Sequence, residues 1–319
     1  MYINHEWRGL KDRYGDMVVG LGNFDGVHVG HQKLISELVK IAKTTGSTPV
    51  VFTFNPHPLE VLNPGKRPPL LLSQAAKQNL IAELGVEVLL QVPFDLEFAG
   101  QTPENFVKTV LHDEMRARGI VVGYNYTFGY QGKGTPALLQ ELASIYHYDL
   151  RIMPPVMVEG QVVSSTLIRN LVLIGKVDEA AKFLGYYPFV EGQVVTGKKR
   201  GGSSLGFPTA NLNIDETLLV PANGVYLVKI CIEGDNYMGL ANIGTKPTFQ
   251  DKTRNIEVHL IDFNRDLYGE NIKVSFTKKL REEKQFKTPS DLIKQIKKDI
   301  SRAREEWFKA ENKKGQGSI

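Results

Sequence analysis

The sequence predicts a chain of two parts, a doubly wound parallel α/β domain followed by a small antiparallel β-barrel with a C-terminal helix. Three observations predict it. Between Met17 and Ile174 apolar runs of strand length alternate with stretches of helical spacing. Beyond Gly185 that spacing gives way to short alternating runs set apart by Gly and Asn turns. The third is GLGNFDGVHVGHQKLI, residues 20–35, in which a buried strand leaves through a glycine corner directly into a helix.

Taken in order, Met17, Val18 and Val19 form the first apolar run, and Leu34, Leu38, Ile41 and Ala42 recur at helical spacing up to a stop at Gly46. Residues 49–54, PVVFTF, are β-branched and aromatic and make a strand. NPHPLEVLNPGKRPP behind it is proline-rich and too irregular for either element, so it reads as a loop at the carboxyl end of a strand, where α/β sheets carry ligands. Ser73 caps a helix through Leu84, and residues 86–92 are a third strand. Thr102-Pro103-Glu104 opens a helix towards Arg116, with Thr as N-cap and Pro in the first turn. A fourth strand at 120–123 leads into the loop GYNYTFGYQGKGT, which holds Lys133 but lacks the residue order of a P-loop. Pro136 opens the next helix, residues 149–153 are a fifth strand, and a helix covers 165–174. VDEAAKFLG closes this half as a helix ending on a glycine C-cap, which sets the domains at 1–185 and 186–310, with a frayed tail at 311–319. In the second half the candidate strands are 190–196, 225–232, 237–243, 256–262 and 272–277. A helix over 290–307 presents Leu292, Ile293, Ile296 and Ile300 to the barrel.

The glycine corner invites an anion. Gly22, Gly26 and Gly30 lack a Cβ, the first turn of the following helix offers free N–H groups and its positive dipole end, and His28 and His31 bracket Gly30 with two imidazoles that can bond phosphate oxygens near neutral pH. A plain tight turn stays open on this stretch alone. A dinucleotide fingerprint fits less well, because Asp25 stands where the third glycine belongs and the next strand ends in Phe54-Asn55 without an acidic ribose ligand. Zinc fits less again: His28, His31 and His57 come without an HExxH, and the single cysteine, Cys231, lies far along the chain.

Composition sets outer limits. At 319 residues with 42% hydrophobic and 23% charged residues, the chain is long enough for two globular domains. It carries no apolar run of membrane-spanning length, MYINHEWRGLKDRYG has no export signature, and one cysteine excludes an intrachain disulfide, so a cytoplasmic protein without a membrane partner is expected. A net charge of +4, with basic residues dispersed apart from Lys198-Lys199-Arg200 and the Lys313-Lys314 tail, suits small anionic ligands more than nucleic acid. Oligomeric state is left open.

His28-Val29-Gly30-His31 behind an apolar strand is similar to the HxGH signature of the nucleotidyltransferase superfamily, and Val163-Ser164-Ser165-Thr166-Leu167-Ile168-Arg169 is similar to its second signature, ISSTxIR, at a later helix start. GKKRGGSSLGFPTANLNI resembles the glycine loop and PTAN motif of riboflavin kinases. With GxFDGxHxGH, FNPHP at 54–58, NIGTKPTF at 242–249, IEVHL, DLYG at 266–269 and LREEKQF in the same order, nearly the whole chain resembles the bacterial bifunctional riboflavin kinase and FAD synthetase family.

That resemblance implies two ATP-dependent steps acting on riboflavin, FMN and FAD. In the N-terminal half it implies that His28 and His31 bind phosphates and stabilise the transition state as FMN attacks the α-phosphorus. Gly22, Phe24, Asp25, Gly30, His57 and Asn63 would line the ATP crevice, Asn125 would touch nucleotide or metal, and Ser164, Ser165, Thr166 and Arg169 would hold the β and γ phosphates. In the C-terminal half it implies Mg²⁺ on Thr209 and Asn211, a phosphate cradle over 197–206 including Gly197, Lys199, Arg200, Gly201 and Gly206, and Glu257 as general base. Pro208 of PTAN, and Arg281 and Glu283 of LREEKQF, would complete the ATP and flavin sites. Independently of the resemblance, Ile256, Val258 and Leu260 alternate with Glu257 and His259, which sets the carboxylate on the face opposite the apolar one. Two departures stand out. Asn125-Tyr126 replaces the family's frequent Asp-Phe, making an anionic contact neutral, and Gly201-Gly202-Ser203-Ser204 replaces its usual Gly-Arg, leaving Lys199 and Arg200 as the cations there. The alternatives are a single-activity enzyme with one decayed domain, or a flavin-binding regulator, which would not need Glu257, His28 and His31.

Overall fold

The computed structural model describes residues 1–65, 67–196, 207–245 and 254–316, with side chains to 309. The chain divides into two compact units, Met1–Pro69 with Gln74–Ser165, and Leu70–Ser73 with Thr166–Ile319.

The first unit is built on a six-stranded sheet: β1 (Tyr2–Asn4), β2 (Met17–Leu21), β3 (Thr48–Phe54), β4 (Val88–Val92), β5 (Ala117–Gly123) and β6 (Asp149–Met153). The spatial order is β1-β4-β3-β2-β5-β6 and every pairing is parallel. Every residue of β2 and β4 is buried, the signature of a sheet covered on both faces. The helix Val29–Thr45 buries Leu34, Ile35, Leu38, Val39 and Ala42, one stripe at helical spacing, and stops at Gly46, whose left-handed backbone returns its N–H to the Ala42 carbonyl. Fully burying a leucine such as Leu38 stabilises the layer by about 2 kcal/mol. Successive strands move outward from β2 through β3 to β4, and the chain then crosses back to β5 on the other side of β2. That reversal opens a crevice at the carboxyl ends of β2 and β5, the place where such sheets bind ligands.

The second unit contains a short antiparallel pair's successor helices and a barrel. After β7 (Met157–Val158) and β8 (Gln161–Val162) come the helices Ser165–Leu173 and Val177–Leu184. Six strands then close a barrel: β9 (Phe189–Val195), β10 (Ala210–Asn213), β11 (Gly224–Ile232), β12 (Asp235–Thr245), β13 (Arg254–Leu260) and β14 (Asn271–Arg281), in the order β10-β13-β12-β11-β14-β9. Alternate residues point inward, among them Val228, Ile230, Ala241, Ile243, Ile256, Val258, Val274 and Phe276. Register shifts between β11 and β14 after Val225 and Leu227 bend the pair. The helix Pro289–Gln316 packs outside the barrel, where Ile300, Ala303 and Trp307 meet Val225, Leu227, Leu240 and Leu280. Among the described residues its one buried charge, Asp299, receives the Arg281 guanidinium at 2.9 and 3.1 Å and the Gln295 amide at 2.9 Å.

Five expectations change. The edge strand β1 escapes notice because three partly exposed residues carry no period. The proline-rich loop contains a helix, Pro58–Leu62, started by its proline in the first turn and by the His57 cap. The barrel has six strands instead of five: β10 is four residues of ANLN, too short and polar to read as a strand. The last strand, expected at 272–277, runs on to Arg281, which ends β14. The last helix runs past Trp307 to Gln316, since no glycine or proline interrupts it before Gly315, and of its predicted face Leu292, Ile293 and Ile296 are only half-buried.

Removing one partner of a buried ion pair strands the other. Asp299→Ala is expected to destabilise the barrel unit by about 3 kcal/mol, seen as a lower thermal midpoint, and adding Arg281→Met should restore most of the loss. An unchanged midpoint in the single variant would show the pair to be neutral.

Candidate active sites

In the α/β unit the two signatures meet. Ser165 Oγ donates to the Asp25 carbonyl at 2.9 Å, joining residues 140 positions apart at the head of the crevice. The corner itself is built under tension: Phe24 and Val27 take positive φ of 51° and 32° without being glycine, with Gly26 between them at 84°. Phe24 is buried and sets its ring edge against His31 at 5.2 Å, while Thr53 of β3 donates to the Asn23 carbonyl at 3.1 Å.

His28 is the N-cap of the helix that follows. Its Nδ1 accepts the His31 N–H at 3.2 Å, which puts the proton of the neutral ring on Nε2. The His28 and His31 rings stack with centroids 3.6 Å apart and 12° between planes. Parallel rings in that stack cannot aim their in-plane nitrogens at one ion, so the pair is not a zinc chelate. A Cβ on Gly30 would lie 3.2 Å from the His28 ring, so this glycine serves the stacked cap as well as any approaching anion. His31 has a buried Nδ1 with no hydrogen-bond partner among the described residues. Burial first, then His28 and Lys77, hold its pKa well below the usual 6.5, so the ring is neutral at physiological pH. Lys77, on the helix Gln74–Glu83, is buried, and that burial pushes its pKa down to about 8 against the opposing pull of Asp25. Three buried ionisable groups, Asp25, His28 and Lys77, thus gather at this corner.

His57, Asn63 and Asn125 lie beyond strand ends. His57 follows β3 and caps the short helix, its Nδ1 accepting the Leu59 N–H at 3.2 Å, and Asn63 ends that helix. Asn125 follows β5 and is exposed, beside Tyr126 stacked on Phe128 at 5.7 Å. Ser164 immediately precedes the Ser165–Leu173 helix, and Thr166 and Arg169 lie on its first two turns, counted by packing with the second unit.

In the barrel unit, register does the assembling. Asn211 of β10 stands opposite Glu257 of β13, which stands opposite Asn242 of β12, a polar row across three strands. Glu257 is half-buried on the outer face while Ile256 and Val258 fill the core, as the alternation predicts. Asn255 donates from Nδ2 to Glu257 Oε1 at 2.8 Å and reaches Asn211 Oδ1 at 3.4 Å. Pro208 and Thr209 lead into β10, with the Pro208 carbonyl 2.9 Å from His259 Nδ1. Arg281 is committed to Asp299, and Glu283 accepts from Asn223 Nδ2 at 3.2 Å near Gly244. Gly197, Lys199, Arg200, Gly201 and Gly206, and with them the Gly201–Ser204 departure, lie outside the described residues.

Four contributors were not singled out from the sequence. Lys77 reads as an ordinary surface lysine on a weakly patterned helix. Asn255 and Asn242 become visible only through strand parity and pairing, and Thr53 only through its bond to the next loop. Parity with Glu257 was the one usable signal.

Titration offers a direct check. The unfolded ring of His31 binds a proton near pH 6.5 and the folded ring only at lower pH, so the stability contributed by the neutral buried ring is whole above 6.5 and is lost as pH falls towards the folded value. Side-chain ¹⁵N spectra should show His31 neutral at pH 6.5, and His31→Phe should flatten the acid limb of the stability curve. A His31 that is half-protonated at 6.5 or above would contradict the burial argument.

Comparison with known proteins agrees in both halves. Residues 11–167 match the family model described as FAD synthetase, and residues 184–307 match the one described as riboflavin kinase. Proteins named bifunctional riboflavin kinase/FMN adenylyltransferase are similar along almost their full length. The one from Bacillus subtilis is 37% identical over 95% of this chain and 96% of its own, and that from Listeria monocytogenes 34% over 98% and 99%. The Escherichia coli protein is 36% identical over 90% and 92%. A crystal structure titled as a macrolide-efflux protein from Streptococcus pneumoniae superposes with a TM-score of 0.86 at 34% identity, covering 95% of this chain and 99% of that one. Among the described residues no helix is long and apolar enough to cross a membrane. The chain belongs to the bifunctional riboflavin kinase/FMN adenylyltransferase family, with its FAD synthetase half first and its riboflavin kinase half second.

Proposed function

We propose that the barrel unit phosphorylates riboflavin through Glu257, with Mg²⁺ on Thr209 and Asn211, and that the crevice at the ends of β2 and β5 adenylylates the resulting FMN through His28 and His31, in the cytoplasm. The observation supporting this division is that each unit brings its own pair of signatures into contact, Asn211 beside Glu257 in one and Ser165 on Asp25 in the other.

In the kinase step the Glu257 carboxylate takes the proton of the ribityl 5′-hydroxyl as that oxygen bonds the γ-phosphorus of ATP and ADP leaves. Asn255 holds one carboxylate oxygen at 2.8 Å, which leaves Oε2 to face the hydroxyl. The hydroxyl of Thr209 and the amide oxygen of Asn211 are hard oxygen donors suited to Mg²⁺, and Asn211 Oδ1 already sits in a polar row with Glu257. The cation supplies charge compensation for the phosphates. Pro208, Arg281 and Glu283 border this site, and the 197–206 segment would cradle the phosphates.

In the adenylyl step an FMN phosphate oxygen attacks the α-phosphorus of ATP and pyrophosphate departs. His28, with its proton on Nε2, donates to the phosphate oxygens, and the orphaned Nδ1 of His31 gains a partner there. Charge on the leaving group is met by helix N–H groups, by Ser164, Ser165, Thr166 and Arg169, and by Lys77 as ammonium below pH 8. Gly22, Phe24, Asp25 and Gly30 shape the corner; His57, Asn63 and Asn125 line the crevice mouth.

A time course with riboflavin, ATP and Mg²⁺, run beside one started from FMN, tests the reading. FMN should rise before FAD. Glu257→Gln should slow FMN formation by about 10² to 10⁴ while FAD formation from supplied FMN continues; equal loss of both would refute the division of labour.

A further inference from the structure

β13 carries three polar side chains on its outer face at a spacing of two: Asn255, Glu257 and His259. The first two are bonded to one another, and the third reaches across to β10's approach. There the backbone ladder between β10 and β13 begins only at Ala210 opposite Val258. The residue two positions earlier is Pro208, which has no N–H to extend the ladder. His259 Nδ1 lies 2.9 Å from the Pro208 carbonyl, and the Phe207 ring meets the imidazole edge-on at 5.7 Å and 78°. A carbonyl can only accept, so Nδ1 carries the proton in this bond.

We infer that His259 is a positioning residue of the kinase step, its Nδ1–H holding the Pro208 carbonyl so that Thr209 and Asn211 enter β10 opposite Glu257. The inference rests on the proposed roles of those three residues. Without the bond, the described residues before Ala210, 207–209, have no backbone pairing with β13, and Thr209, one residue outside the ladder, loses its placement first. A displacement of about 1 Å of a group that positions the transferring phosphate costs around 10²-fold in rate.

The geometry makes an atom-specific test possible. An asparagine at 259 can offer its amide nitrogen where Nδ1 now sits, whereas glutamine extends to the position of Nε2. His259→Asn should keep kcat/KM for ATP in riboflavin phosphorylation within about threefold, and His259→Gln and His259→Leu should lower it by about 10-fold to 10²-fold, with a higher Mg²⁺ half-saturation. Two readouts do not depend on turnover. Side-chain ¹⁵N spectra of the wild-type protein should show the ring of residue 259 protonated on Nδ1, and hydrogen exchange at the Ala210 and Asn211 amides should quicken in the Gln and Leu variants but not in the Asn one. FAD formation from FMN, which the other unit performs, serves as the control for the amount of intact chain, and the thermal midpoint of the barrel unit as the control for its folding. If Gln and Asn behave alike, or Nδ1 is the bare nitrogen, the inference is overturned. Full riboflavin phosphorylation by Asn211→Ala would instead overturn the reading beneath it, and the role of His259 would fall with it; no His259 variant can produce that result.

Discussion

A β-strand has two faces, and in β13 one of them must be dry. Ile256, Val258 and Leu260 fill the barrel, so Asn255, Glu257 and His259 are forced outward, and a slip of a single residue would drive a carboxylate into the core. That penalty fixes the register of β13 against both neighbours. Once it is fixed, Asn211 and Asn242 have no choice but to flank Glu257. The apolar interior of the barrel therefore does more than stabilise it: it specifies where the polar row lies. Closure of the ring by β9 against β14 and β10 removes any freedom to shift.

The α/β unit solves a different problem, the burial of several ionisable groups side by side without a net charge too costly to bury. It does so by keeping His31 neutral, using His28 as a cap, and setting the buried Lys77 within reach of Asp25. Burial disfavours the charged forms of His31 and Lys77, and a bound triphosphate would favour those two cations instead. The strained backbone at Phe24 and Val27 is tolerated because Phe24 is locked among its neighbours and because the corner is pinned by Thr53 and Ser165.

Much of this was legible in the sequence because it depends on period. The buried strands of the sheet, the Val29–Thr45 helix with its Gly46 stop, and the parity of Glu257 all follow from spacing alone. What escaped has no period to read: β1 and β10 are three and four residues long, and their pairing is decided by partners far along the chain. The His57 cap and the Pro58–Leu62 helix hide in a run of prolines. Lys77 escaped for another reason, since a long charged side chain is normally solvated and only the folded surroundings bury it. The roles of the flavin and ATP residues came from resemblance to a family; no pattern of hydrophobic and polar residues distinguishes one planar substrate from another.

Barrel closure has a consequence in time. The sheet is complete once β6 has been made at Met153, whereas the barrel cannot close until β14, which pairs with both β9 and β11, has been added near Arg281. Chains fold from the N-terminus as they are synthesised, and a ring that needs its last strand waits for it. During translation the half that performs the second reaction is thus able to fold while the half that performs the first is still incomplete.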